Sequence, residues 1–363
     1  MVDWFAGKRV RGTSSERSGF GLSLGGTGVG GWVELARTTL GGTSDSIDVT
    51  SLPDKRYYMV LSNCLTDGSG NILVAHRYNG DSGYNYQWRY SIDGGSDSIG
   101  NANLEEHIST AAINDNSDKF SVSYIANKSD KEKLEIAWGV GRNTAGAGTA
   151  PRRSEHVGKW VNTSNAINRI YTFERGQSGT YATGSEVVVL GYDPADTHTT
   201  NFWQELASVE LGSNNSTLSS GTFSAKKYLW VQIYVKGLAS SGSHILKFNN
   251  DSTASSYSWR SSYNGGADAT VINRGKWDIQ ANQNLTTPIF TNMFIVNNSA
   301  NEKLGMWNTV IQSTAGAGTS PHREEGVGKF TPTGSQITKI DVTEFNGSIN
   351  LLAGSKIKVW GAD

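Results

Sequence analysis

Two glycine-rich stretches invite a chemical reading first. Thr144-Ala-Gly-Ala-Gly-Thr149 and Thr314-Ala-Gly-Ala-Gly-Thr319 hold the small residues that let backbone amides close round a phosphate. A P-loop ends its glycines on Lys-Ser/Thr at the mouth of a helix, whereas Ala150-Pro151 and Ser320-Pro321 follow here. The loops are therefore expected to lie flat on their own sheet or on a neighbour's backbone, with Pro151 and Pro321 stiffening the exit. Just beyond them Arg153 and Glu155 recur as Arg323 and Glu325, and Glu132-Lys133 recurs as Glu302-Lys303. Such charges form either solvated ion pairs, which stabilise little, or a contact shared between subunits, and nothing in their spacing separates the two.

Other chemistry finds less support. Asp81 and Asp97 match Asp251 and Asp268, and carboxylates in Asn/Gly-rich turns can hold calcium, but several oxygen ligands at EF-hand spacing are missing, which favours turn formation. The six histidines are scattered and none meets another across the repeat. There is no nucleophile elbow and no His-Glu-x-x-His, so no catalytic, metal or cofactor residue is assigned, and the chain is read as not an enzyme. A pair of carboxylates that cleaves polysaccharide needs no linear motif and stays as a third reading. The 11 Trp and 14 Tyr keep a glycan-binding module in view as the second. Trp88 and Trp259 recur, which argues for packing; Trp138, Trp160 and Trp277 do not recur as Trp and are the better candidates for exposed or interface duty.

The elements that position these residues are duplicated. Trp32-Val-Glu34-Leu35-Ala36 returns as Trp203-Gln-Glu205-Leu206-Ala207 and Trp88-Arg89 as Trp259-Arg260, both at a spacing of 171. Tyr124-Ile-Ala-Asn127 returns as Phe294-Ile-Val-Asn297 at a spacing of 170. A period this long exceeds the roughly 20 to 50 residues of solenoid or propeller repeats, so each copy is a whole domain. The boundaries are an arm over 1–31, a first domain over 32–193, a linker over 194–202 and a second domain over 203–363.

Within the first domain about nine short strands are expected, among them Tyr57 to Leu61, Val74 to Tyr78, Phe120 to Tyr124 and Glu186 to Leu190, punctuated by turns such as Asn79-Gly80. The stretches Asn103 to Ala112 and Gly275 to Leu285 fit a short helix or another strand equally well. The rhythm is all-β and antiparallel, which predicts two tandem homologous β-sandwiches of jelly-roll type behind an extended N-terminal arm.

A net charge of -1 disfavours nucleic acid and anionic membranes as partners, and the single Cys64 excludes an intrachain disulfide and reads as a buried small hydrophobe. No run of 18 apolar residues and no signal-peptide pattern occurs, so synthesis in the cytoplasm is expected, with any later location reached by assembly. In the arm, Trp4 and Phe5 precede Lys8, Arg9 and Arg11. The arm is either a disordered tail or an anchor whose aromatics fill a neighbour's pocket and whose cations meet an acidic surface.

Three features carry a resemblance. The opening Trp4-Phe5-Ala-Gly-Lys8-Arg9, the strand starts in Glu-Leu-Ala and the ending Ala353-Gly-Ser-Lys-Ile-Lys-Val-Trp-Gly361 resemble structural proteins of marine tailed bacteriophages and related environmental viral sequences. That resemblance spans the chain. It implies a non-catalytic virion component, either on the capsid surface (decoration, head fibre or minor capsid protein) or in the tail. Its partners would be other virion proteins, symmetry-related copies of itself and, for a host-attachment module, a host-surface glycan. No coiled-coil heptads or triple-stranded β-helix repeats accompany the domains, which argues against a long fibre shaft.

Overall fold

The computed structural model describes residues 31–100, 105–176, 178–193, 201–280 and 286–363. Among the described residues all regular structure is strand. The first unit holds β1 (Val33–Thr39), β2 (Ser46–Val49), β3 (Tyr57–Cys64), β4 (Ile72–Tyr78), β5 (Tyr86–Ile92), β6 (Ser98–Ile99), β7 (Ile108–Asp115), β8 (Lys119–Ala126), β9 (Lys133–Gly141), β10 (Arg152–Trp160), β11 (Ile170–Phe173) and β12 (Glu186–Tyr192). The second holds β13 (Gln204–Glu210), β14 (Thr217–Ser219), β15 (Tyr228–Val235), β16 (His244–Phe248), β17 (Tyr257–Tyr263), β18 (Ala269–Arg274), β19 (Trp277–Asp278), β20 (Ile289–Val296), β21 (Lys303–Ile311), β22 (His322–Phe330), β23 (Ile340–Glu344) and β24 (Lys356–Ala362).

Each unit is an antiparallel sandwich of one broad and one narrow sheet. In the first, the 8-stranded sheet runs β1-β12-β3-β8-β9-β10-β5-β6 and the 4-stranded sheet β2-β11-β4-β7; the second repeats both orders strand for strand, β13-β24-β15-β20-β21-β22-β17-β18 and β14-β23-β16-β19. Duplication is thus a property of the topology as well as of the sequence. Each unit carries more strands than the sequence pattern suggests. The surplus includes the two-residue β6, too short to show a period, and β7, which together with β19 resolves the ambiguous stretches as strand where they are described. The N-terminal arm, with Trp4, Phe5, Lys8, Arg9 and Arg11, lies outside the described residues.

The inner faces of the two sheets bury a core in each unit. Alternation places Tyr58 and Val60 of β3, and Val187 and Val189 of β12, in the first core, while Met59, Leu61, Val188 and Leu190 belong to a separate cluster on the outer face. A strand buried on both faces reads as an unbroken apolar run, and Tyr58-Met-Val-Leu61 and Val187-Val-Val-Leu190 are such runs. Cys64 is fully buried, and burial pushes its thiol up to about 12.

The repeated motifs have local reasons. A register shift between Glu34 and Ala36, matched between Glu205 and Ala207, marks a bulge at each Glu-Leu-Ala. The Leu35 and Leu206 side chains then lie over Gly191 and Gly361, where any Cβ would collide with them. In the repeated Val-Gly-Lys, Gly158 lies under Ile108 of β7, and Gly328 lies under the Trp277 indole of β19, so a glycine is needed wherever the narrow sheet presses on β10 or β22.

A methyl group at Gly328 would overlap Trp277, so Gly328→Ala should lower stability in urea unfolding by about 1–3 kcal/mol. Gly318→Ala, where nothing lies within 4 Å of the added atom, should change little by comparison.

Burial lowers His107 and His156 to about 3 and His244 to about 4, so all three are held neutral. Their folded values lie below the ordinary histidine value of about 6.5, so the unfolded chain binds more protons across that window. In denaturant unfolding the histidines should cost little at pH 7, and their contribution should bring a further decline in stability that begins as the pH falls through about 6.5.

Candidate functional site

The outer faces of the two broad sheets meet, and this junction gathers most of the chemistry. Met59, Leu61, Phe120, Val140, Val188 and Leu190 of the first unit form one cluster with Tyr228, Phe294, Val296, Leu304, Met306 and Val327 of the second. Phe202 and Trp203, at the start of the second unit, join it, and Phe202 donates its amide to the Trp32 carbonyl at 2.9 Å. The Phe120 and Tyr228 rings lie 6.1 Å apart and those of Tyr124 and Phe294 6.5 Å apart. Full burial of each such side chain contributes on the order of 1.5 to 3 kcal/mol, so this cluster dominates the docking.

A polar rim sets its register. The first glycine loop leaves β9 and lies on the second unit: Glu302 accepts from the Gly146 amide at 2.6 Å, and Lys329 Nζ donates to the carbonyls of Arg142 at 3.2 Å and Thr144 at 2.6 Å. Ser258 Oγ donates to the Thr149 carbonyl at 3.0 Å, and Arg260 Nε donates to that of Pro151 at 2.9 Å. Burial lowers the Lys329 ammonium to about 8, against the opposing pull of Glu302. On the far side, Glu186 accepts from the Tyr228 hydroxyl at 2.9 Å and pairs with Lys227 at 3.1 Å. Burial alone would raise the Glu186 carboxyl; the Thr39 hydroxyl, Lys227 and Tyr228 together hold it below the usual range.

Arg153, Glu155, Arg323 and Glu325, four of the charged residues that recur, lie at or beside this junction in unequal settings. Arg153 is buried and reaches both Asp268, at 2.7 Å across the junction, and Glu155, at 2.6 Å. Arg323 keeps only the local pair with Glu325, at 2.9 Å, and is largely exposed. Burial raises the Glu325 carboxyl, with Glu155 adding to the effect and Arg323 opposing it. A groove of about 340 Å³ opens beside these pairs, lined by Arg89, Tyr90, Trp138, Glu155, Asn308 and Arg323 among others.

The two glycine loops share a conformation and differ in environment. Asn143 and Ser313 both have φ 64°, and Gly146 and Gly316 have φ 79° and 85°. Yet Ala147 and Pro151 are buried against the second unit, whereas residues 314–321 are all exposed. The expected packing holds for the first loop and fails within this chain for the second, because its unit has no further neighbour. Of the three non-recurring tryptophans, Trp138 borders the groove, but Trp160 and Trp277 are fully buried. Their expected exposure is overturned by cores that take Trp160 beside Tyr78 and Tyr86, and Trp277 beside Phe248 and Trp307. Trp88 and Trp259 are packed. Asp81 and Asp251 bind their own turns, through Gly83 and Thr253 amides respectively, and Asp81 also takes the Trp160 indole N–H at 2.7 Å.

One arrangement had no signal in the sequence. Ser62 Oγ lies 3.4 Å from His76 Nε2, and His76 Nδ1 lies 3.3 Å from Glu135 Oε1, the order of a nucleophile, a base and its orienter. All three are buried between the sheets, Ser62 and His76 completely, and Glu135 also accepts from the Tyr78 hydroxyl. A hydroxyl sealed in this way meets no substrate. The matching positions of the second unit are Ile233, Leu246 and Gly305.

No protein-family model matches the chain. No curated protein matches it either. Among solved structures it is similar to the LG1-3 region of the laminin alpha2 chain, at 9% identity and a TM-score of 0.21 over 87% of this chain and 64% of that one. Domains LG4-5 of the mouse laminin alpha1 chain give 10% identity and a TM-score of 0.20, covering 91% of each. The T=1 particles derived from infectious bursal virus give 12% identity and a TM-score of 0.11, covering 95% of this chain and 81% of that one. The chain spans about two thirds of the laminin alpha2 region, and at these TM-scores none of the likenesses carries an argument.

The junction makes Glu186 a point of failure in acid. Because its folded carboxyl sits below the ordinary value of about 4.3, its stabilisation is complete above that pH and is lost as the pH falls through the lowered value. Glu186→Gln should weaken the docking by about 1.5–3 kcal/mol at pH 7, and should flatten the acid limb of a stability-against-pH series below about pH 4.

Proposed function

We propose that this chain is a non-catalytic structural protein of a virion of the tailed-phage kind, placed on the capsid surface or in the tail and working through protein contacts. The observation that supports it best is the junction itself: a sheet face of apolar side chains, framed by a loop whose backbone carbonyls and amide are read by Lys329, Ser258, Arg260 and Glu302. This is a protein-binding surface in its chemistry, with an apolar centre and a hydrogen-bonded rim. The resemblance of the two ends and the strand starts to phage structural proteins supplies the virion setting. Immunogold labelling of particles of the encoding virus tests it: label on heads or tails is expected, and particles free of label would overturn it.

A second reading rests on the groove. Tyr90 and Trp138 line it with aromatic rings, and Arg89, Asn308, Arg323 and Glu155 line it with hydrogen-bonding groups, a combination suited to a sugar. Glycan-array binding that is lost in Trp138→Ala would favour this host-attachment role.

A further inference from the structure

The junction between the units is heterologous: each unit contributes a different half of the same face. Shared strand order sets the equivalences, β9 with β21, β10 with β22, β8 with β20 and β3 with β15. The first unit docks through the half that holds Phe120, Val140 and the loop 144–151, and the second through the half that holds Tyr228, Leu304 and Val327. Two halves are therefore left over, and both keep exposed apolar side chains. On the first unit Tyr57, Leu134, Ile136 and Val157 are exposed, Leu134 at 57% where its equivalent Leu304 is at 2%. On the second unit Phe290 and Val310 are exposed, Val310 at 44% where its equivalent Val140 is at 0%.

The rim is left over as well. Glu302 and Lys329, which hold the first loop, have as equivalents Glu132 and Lys159, an exposed pair at 3.3 Å. Asp268, which takes Arg153, has as equivalent Asp97, paired only with the exposed Arg89 at 3.3 Å. The second loop, 314–321, is exposed in the same conformation as the first, and Arg323 beyond it is largely exposed. One ion pair changes hands. Lys356 stands where Glu186 does, but it pairs at 3.0 Å with Glu210 on the adjacent strand, which keeps a carboxylate at that edge for the exposed Arg56.

We infer that the partner for these two surfaces is a second copy of this chain, whose second domain docks through Phe290, Val310 and the loop 314–321 onto Tyr57, Leu134 and Val157 of the first domain, repeating the internal junction between chains. This deepens the structural role proposed above and rests on it for its setting. A heterologous contact that repeats from chain to chain closes into a ring or runs on as a filament. The contact is weaker than its internal counterpart, since Gln232, Asn292 and Lys358 stand where the first unit has Leu61, Val122 and Val188. The competing occupant is the chain itself: Ile136 and Val157 share the groove with Arg323, so closure of the groove would cover part of the same surface within a monomer.

Light scattering after size exclusion, over a concentration series of the full chain, reads the difference. Wild type should gain mass with concentration beyond one chain. Leu134→Asp and Val310→Asp should each remain a monomer with unchanged circular dichroism, since both side chains are exposed. Mixing the two variants should restore a species of two chains that grows no further, because one intact surface of each kind remains. A wild-type monomer at every concentration, assembly untouched by both substitutions, or a mixture that stays monomeric would each overturn the inference. None of these results bears on whether virions carry the protein, which the labelling experiment decides separately.

Discussion

The broad sheet of each unit has an apolar inner face and an outer face that carries further apolar side chains, and only one narrow sheet to cover them. The inner face is closed by the 4-stranded layer, but the outer face, with Met59, Leu61, Val188 and Leu190 in the first unit, needs a second body. An apolar face of this kind left in water invites association, and here the chain supplies the cover itself by docking its other half. The glycine loop, the Lys329 contacts and the Arg153–Asp268 pair follow from that docking, as they satisfy backbone and charge that the apolar contact takes out of water.

The copies differ most where their surroundings differ. Inside each sandwich the same devices recur. Asn79 and Asn249 both sit at positive φ, and each carboxamide ties the strand β11 or β23 through amides at 168 and 169 or at 338 and 339. Outside, equivalent residues part company, as with Arg153 and Arg323 or Pro151 and Pro321, because one unit has a neighbour at that edge and the other does not. The Ser62–His76–Glu135 group shows the same freedom in the interior, replaced in the second unit by apolar residues and a glycine.

Much of the fold was legible because duplication doubles every local signal. Runs such as Val187 to Leu190 announce strands buried on both sides, and Asn79-Gly80 announces its turn. The second sheet was harder to see, since its strands are short and β19 has only two residues. The site was legible in part: the paired Arg and Glu were found from their recurrence, but not their unequal burial, which depends on which half of a face meets which. Absence of a repeated tryptophan says nothing of exposure at Trp160 and Trp277, since each fills a core space that the other copy fills with Phe330 or Ile108.

The short connection between β12 and β13 has a thermodynamic consequence of its own. Joining two docking bodies in one chain turns a bimolecular event into an intramolecular one, with an effective concentration on the order of millimolar for a short connection. Dilution therefore leaves the internal junction closed, however scarce the protein is. Cutting the linker would expose the same contact to mass action, and its strength would then depend on how much of each half was present.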